Sequence, residues 1–330
     1  MTRAAPRPVR PAPVEAEVPR EAVRAVVPLL REIGDLKRVR TAAGGGASMA
    51  ERAFRRSWAE LVRPDADPCE VAVRAGAAAV AGARLAGIDG PVLRRCGLTA
   101  DEAVAVLERS VAQHAGRVGP LTSASLRGAL PDLVADPAEE ARAGPVPEFV
   151  AALCAQPRAG ATCPGRPRLM VEPPESHGDH CWAVAVHGVL LAEAFGADPG
   201  DVFLLGLAHH LHNAVLPDAG FTGEELLGGQ LPAVVARLTR ERLAALPPSL
   251  AARLEPLLAA RDAADTPVAR AFHAADVLDR VLQVRHHARA AAFTAEQALD
   301  DLDLVHPCAV YGFHRAVLDA ADAADAAETV

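Results

Sequence analysis

An all-α protein is what this sequence predicts, and three observations predict it. Hydrophobic residues make up 51% of the 330 residues while aromatics are only 3%, so the core must be built from small and aliphatic side chains packed between helices. Apolar residues recur at helical spacing over long stretches, and no strand-like alternation of useful length appears. Helix-starting signals punctuate the chain, above all in its second half.

The elements follow in order. Residues 1–20 are rich in proline and charge and read as a flexible tail. Helical periodicity covers roughly 21–33, stops at a Gly44-Gly45-Gly46 linker, and resumes around 49–63 and 70–86. The glycine run lacks the flanking strand and the Lys-Ser/Thr ending of a phosphate loop. Thr99-Ala100-Asp101-Glu102 is a capping box, and the apolar stripe Val104, Leu107, Val111 follows it. Prolines and glycines between about 156 and 176 exclude a long helix there. Beyond this break, Asp198-Pro199 opens a helix over 200–213, Thr222 to Glu225 is a second capping box, and Thr266-Pro267 opens a long helix to about 292. The closing DAADAADAAETV reads as a fraying helix end. A chain of this length exceeds what one hydrophobic core usually fills, so two units are expected: an N-terminal helical region, 21–145, and a helical domain, 146–330.

Charge and cysteine usage narrow the function classes. A net charge of −8 argues against general nucleic-acid binding or an anionic membrane surface, either of which needs a basic face. Positive charge is carried almost wholly by arginine, and Lys37 is the only lysine, which reads as a reflection of genome base composition rather than of a functional demand. The six cysteines, at 69, 96, 154, 163, 181 and 308, form no C-x-x-C pair and read as free thiols. The proline- and arginine-rich N-terminus has no apolar signal core, and the apolar stretches are broken by Arg74, Arg84, His187 and Glu193, so neither secretion nor a membrane span is expected. A cytoplasmic location follows as the expectation.

Histidine carries the chemical signal. Eleven of the twelve histidines lie after residue 176, and the densest group is His209-His210-Leu211-His212-Asn213. Imidazole is the commonest protein metal ligand, so such clustering points to a metal or proton-transfer site. His180, Val184, His187 and Leu191 share one helical stripe, Leu205, His209 and His212 a second, and His273, Asp276, Arg280 and His287 a third. Burying the third stripe is costly unless its groups pair or bind an ion.

The order His180, then His209-His210 at the end of VFLLGLAHHLHN, then Asp276 in FHAADVLDR, resembles the HD superfamily of metal-dependent phosphohydrolases. That family's signature is a histidine, an adjacent His-Asp pair and a distant aspartate on separate helices of an all-α core. The resemblance covers roughly 146–300. It implies a divalent metal ion held by His180, His209, His210 and Asp276, with His210 standing where the family has aspartate; His177 is an alternative to His180, and Asp279 to Asp276. His210 is a ligand or the partner that orients one. Exchanging carboxylate for imidazole makes the site one unit more positive and removes a group able to bridge two ions. On a continuous helix adjacent residues point about 100° apart, so His209 and His210 share a metal only if it sits between their directions.

The resemblance therefore implies a single-metal hydrolase of a phosphate ester or nucleotide, with Arg280 stabilising the developing anion and His212 as the other catalytic candidate. Mn, Zn, Fe and Ni are not distinguished by the residue set. Two other readings stand beside it: a catalytically inactive HD scaffold that binds a ligand or protein partner, and an HD-type diiron oxygenase, which needs more bridging carboxylates than the sequence offers.

Overall fold

Every residue from His177 to Ala192 is buried, and a helix that is covered on all sides has to sit in the middle of the molecule. A computed structural model describes residues 18–134, 145–160, 174–290, 294 and 305–328. The N-terminal part comprises α1 (Arg20–Asp35), α2 (Met49–Leu61), α3 (Pro68–Leu85), α4 (Gly90–Arg95), α5 (Ala100–Ala112) and α6 (Pro120–Gly128). There follow α7 (Glu148–Ala155), the central α8 (His177–Phe195), α9 (Pro199–Ala208), α10 (Gly220–Leu227), α11 (Leu231–Leu243), α12 (Pro248–Ala259), α13 (Pro267–Ala290) and α14 (Tyr311–Glu328). The described residues contain no strand, only isolated bridges between Arg40 and Ser48 and between Pro157 and Ser176. The all-α expectation holds.

Local chemistry accounts for most helix starts. Thr99 and Glu102 form the reciprocal capping box, Asp198 accepts from the Asp201 amide with Pro199 in the first turn, and Thr266 Oγ1 accepts from the Ala269 amide at 3.1 Å. Ser176 and Asp179 cap α8 in the same reciprocal way. Two expectations are corrected. The helix placed over 200–213 ends at Ala208 and continues as a 3₁₀ turn, Leu211–Ala214. Thr222 lies inside α10, which starts at Gly220, so the N-cap position falls to Ala219 and not to Thr222. The Gly44-Gly45-Gly46 run lies in the connection between α1 and α2, as expected, with Gly45 and Gly46 at φ +58° and +92° turning the chain. The tail reading for 1–17 and the cysteine at 163 lie outside the described residues. The remaining five cysteines are free thiols.

α8 packs on α9 and α13, and on its other sides against α1, α2, α3, α6 and α7. Glycine permits the closest of these approaches: a Cβ on Gly206 of α9 would meet the Ala185 backbone of α8 at 2.5 Å, and one on Gly188 would strike Val202. Close packing at this crossing fixes how His180 on α8 faces the end of α9. The N-terminal helices are not a separate layer. One continuous cluster of buried apolar residues runs from Val18 through Trp58, Leu107, Val186 and Leu278 to Ala321. Among the described residues no helix is long and apolar enough to cross a membrane.

Candidate metal centre

The early end of α9 shapes the centre. His209 is the last residue to keep a helical amide bond, to Leu205 O at 3.0 Å, and its freed carbonyl accepts from Arg261 NH1 at 2.9 Å. The chain then turns through His210 into the 3₁₀ segment. This turn removes the angular separation that a continuous helix imposes, and the His209 and His210 rings lie 4.2 Å apart, centre to centre. The His180 ring is 5.2 Å from His209 and 5.3 Å from His210. One ring nitrogen from each of the three lies within 4.8 Å of the other two.

Hydrogen bonding sets which nitrogen is free. His209 Nδ1 is 2.7 Å from Gly206 O, and a carbonyl only accepts, so Nδ1 carries the proton. His180 Nδ1 donates to Asp279 Oδ2 at 2.8 Å by the same reasoning. Asn213 donates its amide to Leu216 O and so presents Oδ1 to His210 Nδ1, 2.8 Å away. Each imidazole is thus held in the tautomer that leaves Nε2 as a lone pair. The Nε2 atoms of His180 and His209 are 3.2 Å apart, and Asp276 Oδ1 stands 3.4 Å from His180 Nε2. Lone pairs and a carboxylate converging on one point is a donor set suited to a divalent cation.

Burial keeps the His209 and His210 rings neutral and ready to ligate. Burial first, then the neighbouring His180 and His209 respectively, pushes His209 and His210 well below the ordinary histidine range. Asp276 stays ionised although burial opposes it, because the Arg280 guanidinium beside it holds its carboxyl well below the usual range. Arg280 NH2 pairs with Asp276 Oδ2 at 3.1 Å. Arg280 is therefore engaged in presenting Asp276, while its Nε, buried, has no hydrogen-bond partner.

Asp276 and Asp279 have separate places, although residues three apart lie on one face of α13. Asp276 approaches the Nε2 side of His180 and Asp279 the Nδ1 side. Behind Asp279 stands Lys37, whose ammonium reaches Asp279 at 2.6 and 2.7 Å and Glu175 at 2.5 Å. Burial works against all three charges. Lys37 nevertheless holds Asp279 and Glu175 below the carboxylate range, and they raise Lys37 in return. The chain's only lysine, which composition leaves without a role, is the end of a buried relay Lys37–Asp279–His180. His187 also borders it, with Nδ1 4.0 Å from Asp279.

The remaining sequence candidates lie around this core. His177 donates Nδ1 to Gln156 O at 3.1 Å and turns Nε2 toward Asp218, 3.8 Å away, so it sits beyond His210 and outside the three-histidine group. His212 is 5.8 Å from His210, ring to ring, with its buried Nδ1 unpartnered. His287 bonds Gln283 at 3.1 Å. His314 is buried 5.4 Å from His273, ring to ring. Asp218, which reads as part of a turn, does accept from Gly220 N at 2.9 Å, and its other oxygen accepts from Ala159 N at 3.1 Å.

One residue had no sequence signal. Arg158 follows α7 in a segment that pairs with the start of α8, through Arg158 N to Glu175 O at 2.8 Å and His177 N to Gln156 O at 3.0 Å. Its NH1 is buried and has no hydrogen-bond partner. Burial opposes its charge, but Glu175, Asp218, Asp276 and Asp279 outweigh burial and keep it protonated. Its charge is felt by both His177 and His210.

Residues 152–302 match the model of the HD domain family. No match was found among curated proteins or solved structures. HD domains generally bind divalent metals, and the match spans the helices that carry His180, His209, His210 and Asp276. The similarity to the HD superfamily thus extends over residues 152–302, a little under half of the chain.

Proposed function

We propose that this centre is a metal-dependent phosphohydrolase site acting on a small phosphate ester or nucleotide. The observation that carries the reading is the 3.2 Å approach of two imidazole nitrogens that both present lone pairs. Two acceptors do not attract, so the arrangement is satisfied by a cation between them. His180, His209, His210 and Asp276 would hold it. A divalent ion bound there would polarise a phosphoryl oxygen and lower the pKa of a bound water.

The protein groups have separable tasks. Asp279 and Lys37 keep the His180 proton on Nδ1, Asn213 does the same for His210, and Arg280 steers the Asp276 carboxylate. Arg158 supplies what Arg280, tied to Asp276, supplies less freely: an unengaged guanidinium nitrogen for the charge of a phosphoryl group. His212 is neutral, its pKa pushed to about 4 by burial and then by Arg261, so beside His210 it offers a hydrogen bond and not a charge.

The test is metal analysis of protein purified without a histidine tag, combined with phosphate release from a panel of phosphomonoesters and nucleotides. About one transition metal per chain is expected, with phosphate release that chelation removes and re-addition restores. A metal-loaded protein that releases no phosphate from any of them favours the inactive scaffold, the reading to which His210 in place of aspartate lends weight. A protein that takes up no metal overturns both the hydrolase and the metal centre.

A further inference from the structure

A second cavity lies on the far side of the Lys37–Asp279 pair from the histidine group. Its volume is about 360 Å³, within the range of small-ligand sites. Four parts of the chain close around it: α1 and the turn after it, the segment after α5, the middle of α8, and the last turns of α13. Its walls carry six cationic side chains against the carboxylates of Glu32, Asp35 and Asp279. His187 lines it as well, fully buried, with neither ring nitrogen hydrogen-bonded.

Pairing does not cancel this excess. Lys37 is matched by Asp279, and Arg38 by Asp35 at 2.7 Å. Arg285 pairs with Asp322 from α14. Glu32 is drawn away to Arg84, outside the cavity. Arg117 and Arg289 are left with no ion pair or side-chain hydrogen bond, although both line the cavity. In a chain whose net charge is −8, a concave site with two uncommitted guanidinium groups and a buried unpartnered imidazole is a local reversal of sign. Arginine forks match phosphate oxygens in geometry and charge.

We infer that the cavity between α1 and α13 binds a small multiply charged phosphorylated anion, held by Arg117 and Arg289, at a site separate from the metal centre. Its walls include none of His180, His209, His210 or Asp276, so this inference stands whether or not the metal centre hydrolyses anything. It also assigns a task to the N-terminal helical region, which supplies α1 and Arg117.

The probe is inorganic tripolyphosphate, titrated calorimetrically into the full-length protein after chelation of metal, so that a metal-bound phosphate cannot contribute. One-to-one binding is expected, weakened at least tenfold in the double variant Arg117→Ala/Arg289→Ala. Both side chains lack partners, so that variant should melt at the wild-type temperature without ligand. The variant Arg24→Ala/Arg95→Ala removes the same charge from exposed positions away from the cavity and should bind as wild type does. No binding by the chelated protein, binding indifferent to the first variant, or equal weakening by the second each overturns the proposal.

Discussion

Asp279 and Asp276, three residues apart on one helix, address opposite nitrogens of the same imidazole: Asp279 Oδ2 is 2.8 Å from His180 Nδ1, and Asp276 Oδ1 is 3.4 Å from His180 Nε2. This division decides what each carboxylate does. One fixes the tautomer from behind, and the other joins the lone pairs in front.

Removing the two should therefore have different consequences. Asp276→Ala is expected to lose stoichiometric metal while remaining folded. Asp279→Ala should keep metal but bind it about 10–100-fold more weakly, as loss of a group that orients a ligand usually does. Metal content and competition with a chromophoric chelator measure both. The reverse ranking would make Asp279 the ligand.

Lys37→Met should destabilise the protein markedly. The substitution leaves Asp279 and Glu175 buried side by side without their cation, and breaking a buried pair from one side typically costs about 3–5 kcal/mol. Denaturant unfolding of the metal-free protein measures it. A change under about 1 kcal/mol would mean that the relay is not held by charge.

Restoring the family residue tests the part played by His210. His210→Asp is expected to retain metal binding and shift preference toward Mn²⁺ and Mg²⁺, because carboxylate suits harder ions than imidazole does. Melting curves with and without Mn²⁺ read this out. A destabilised variant whose melting temperature ignores Mn²⁺ would remove His210 from the ligand set.

Stability should fall with acidification before carboxylates are protonated. Burial lowers His187 to about 4 and His314 to about 3, against about 6.5 in an unfolded chain. Between those values the unfolded chain binds more protons, so stability rises with pH there and is lost as pH falls from about 6.5 toward about 4. The melting temperature of the metal-free protein is expected to drop between about pH 7.5 and about pH 5. His314→Leu removes one of these groups and should flatten the slope; an unchanged slope would locate the effect elsewhere.

The sequence by itself determined the helical class and most helix starts, and it singled out polar side chains that the fold brings together. These are written in short-range patterns: capping residues act within one turn, and side chains three, four and seven apart share a face regardless of what packs there. Thus His180, His209 and Asp276 were legible together, while Asp279, on the same face as Asp276, stood as an alternative that only the contacts with His180 set apart. Tertiary structure decided what long-range contacts decide. α9 ends at Ala208, where Arg261, 52 positions away, takes the His209 carbonyl, so the closeness of His209 and His210 could not be read from helical periodicity. Lys37 lies 242 positions from Asp279 and Arg158 stands in a loop without periodicity. A buried charge is recognisable only by the partners that the fold brings to it or leaves away from it, and for these two residues every such partner comes from another part of the chain.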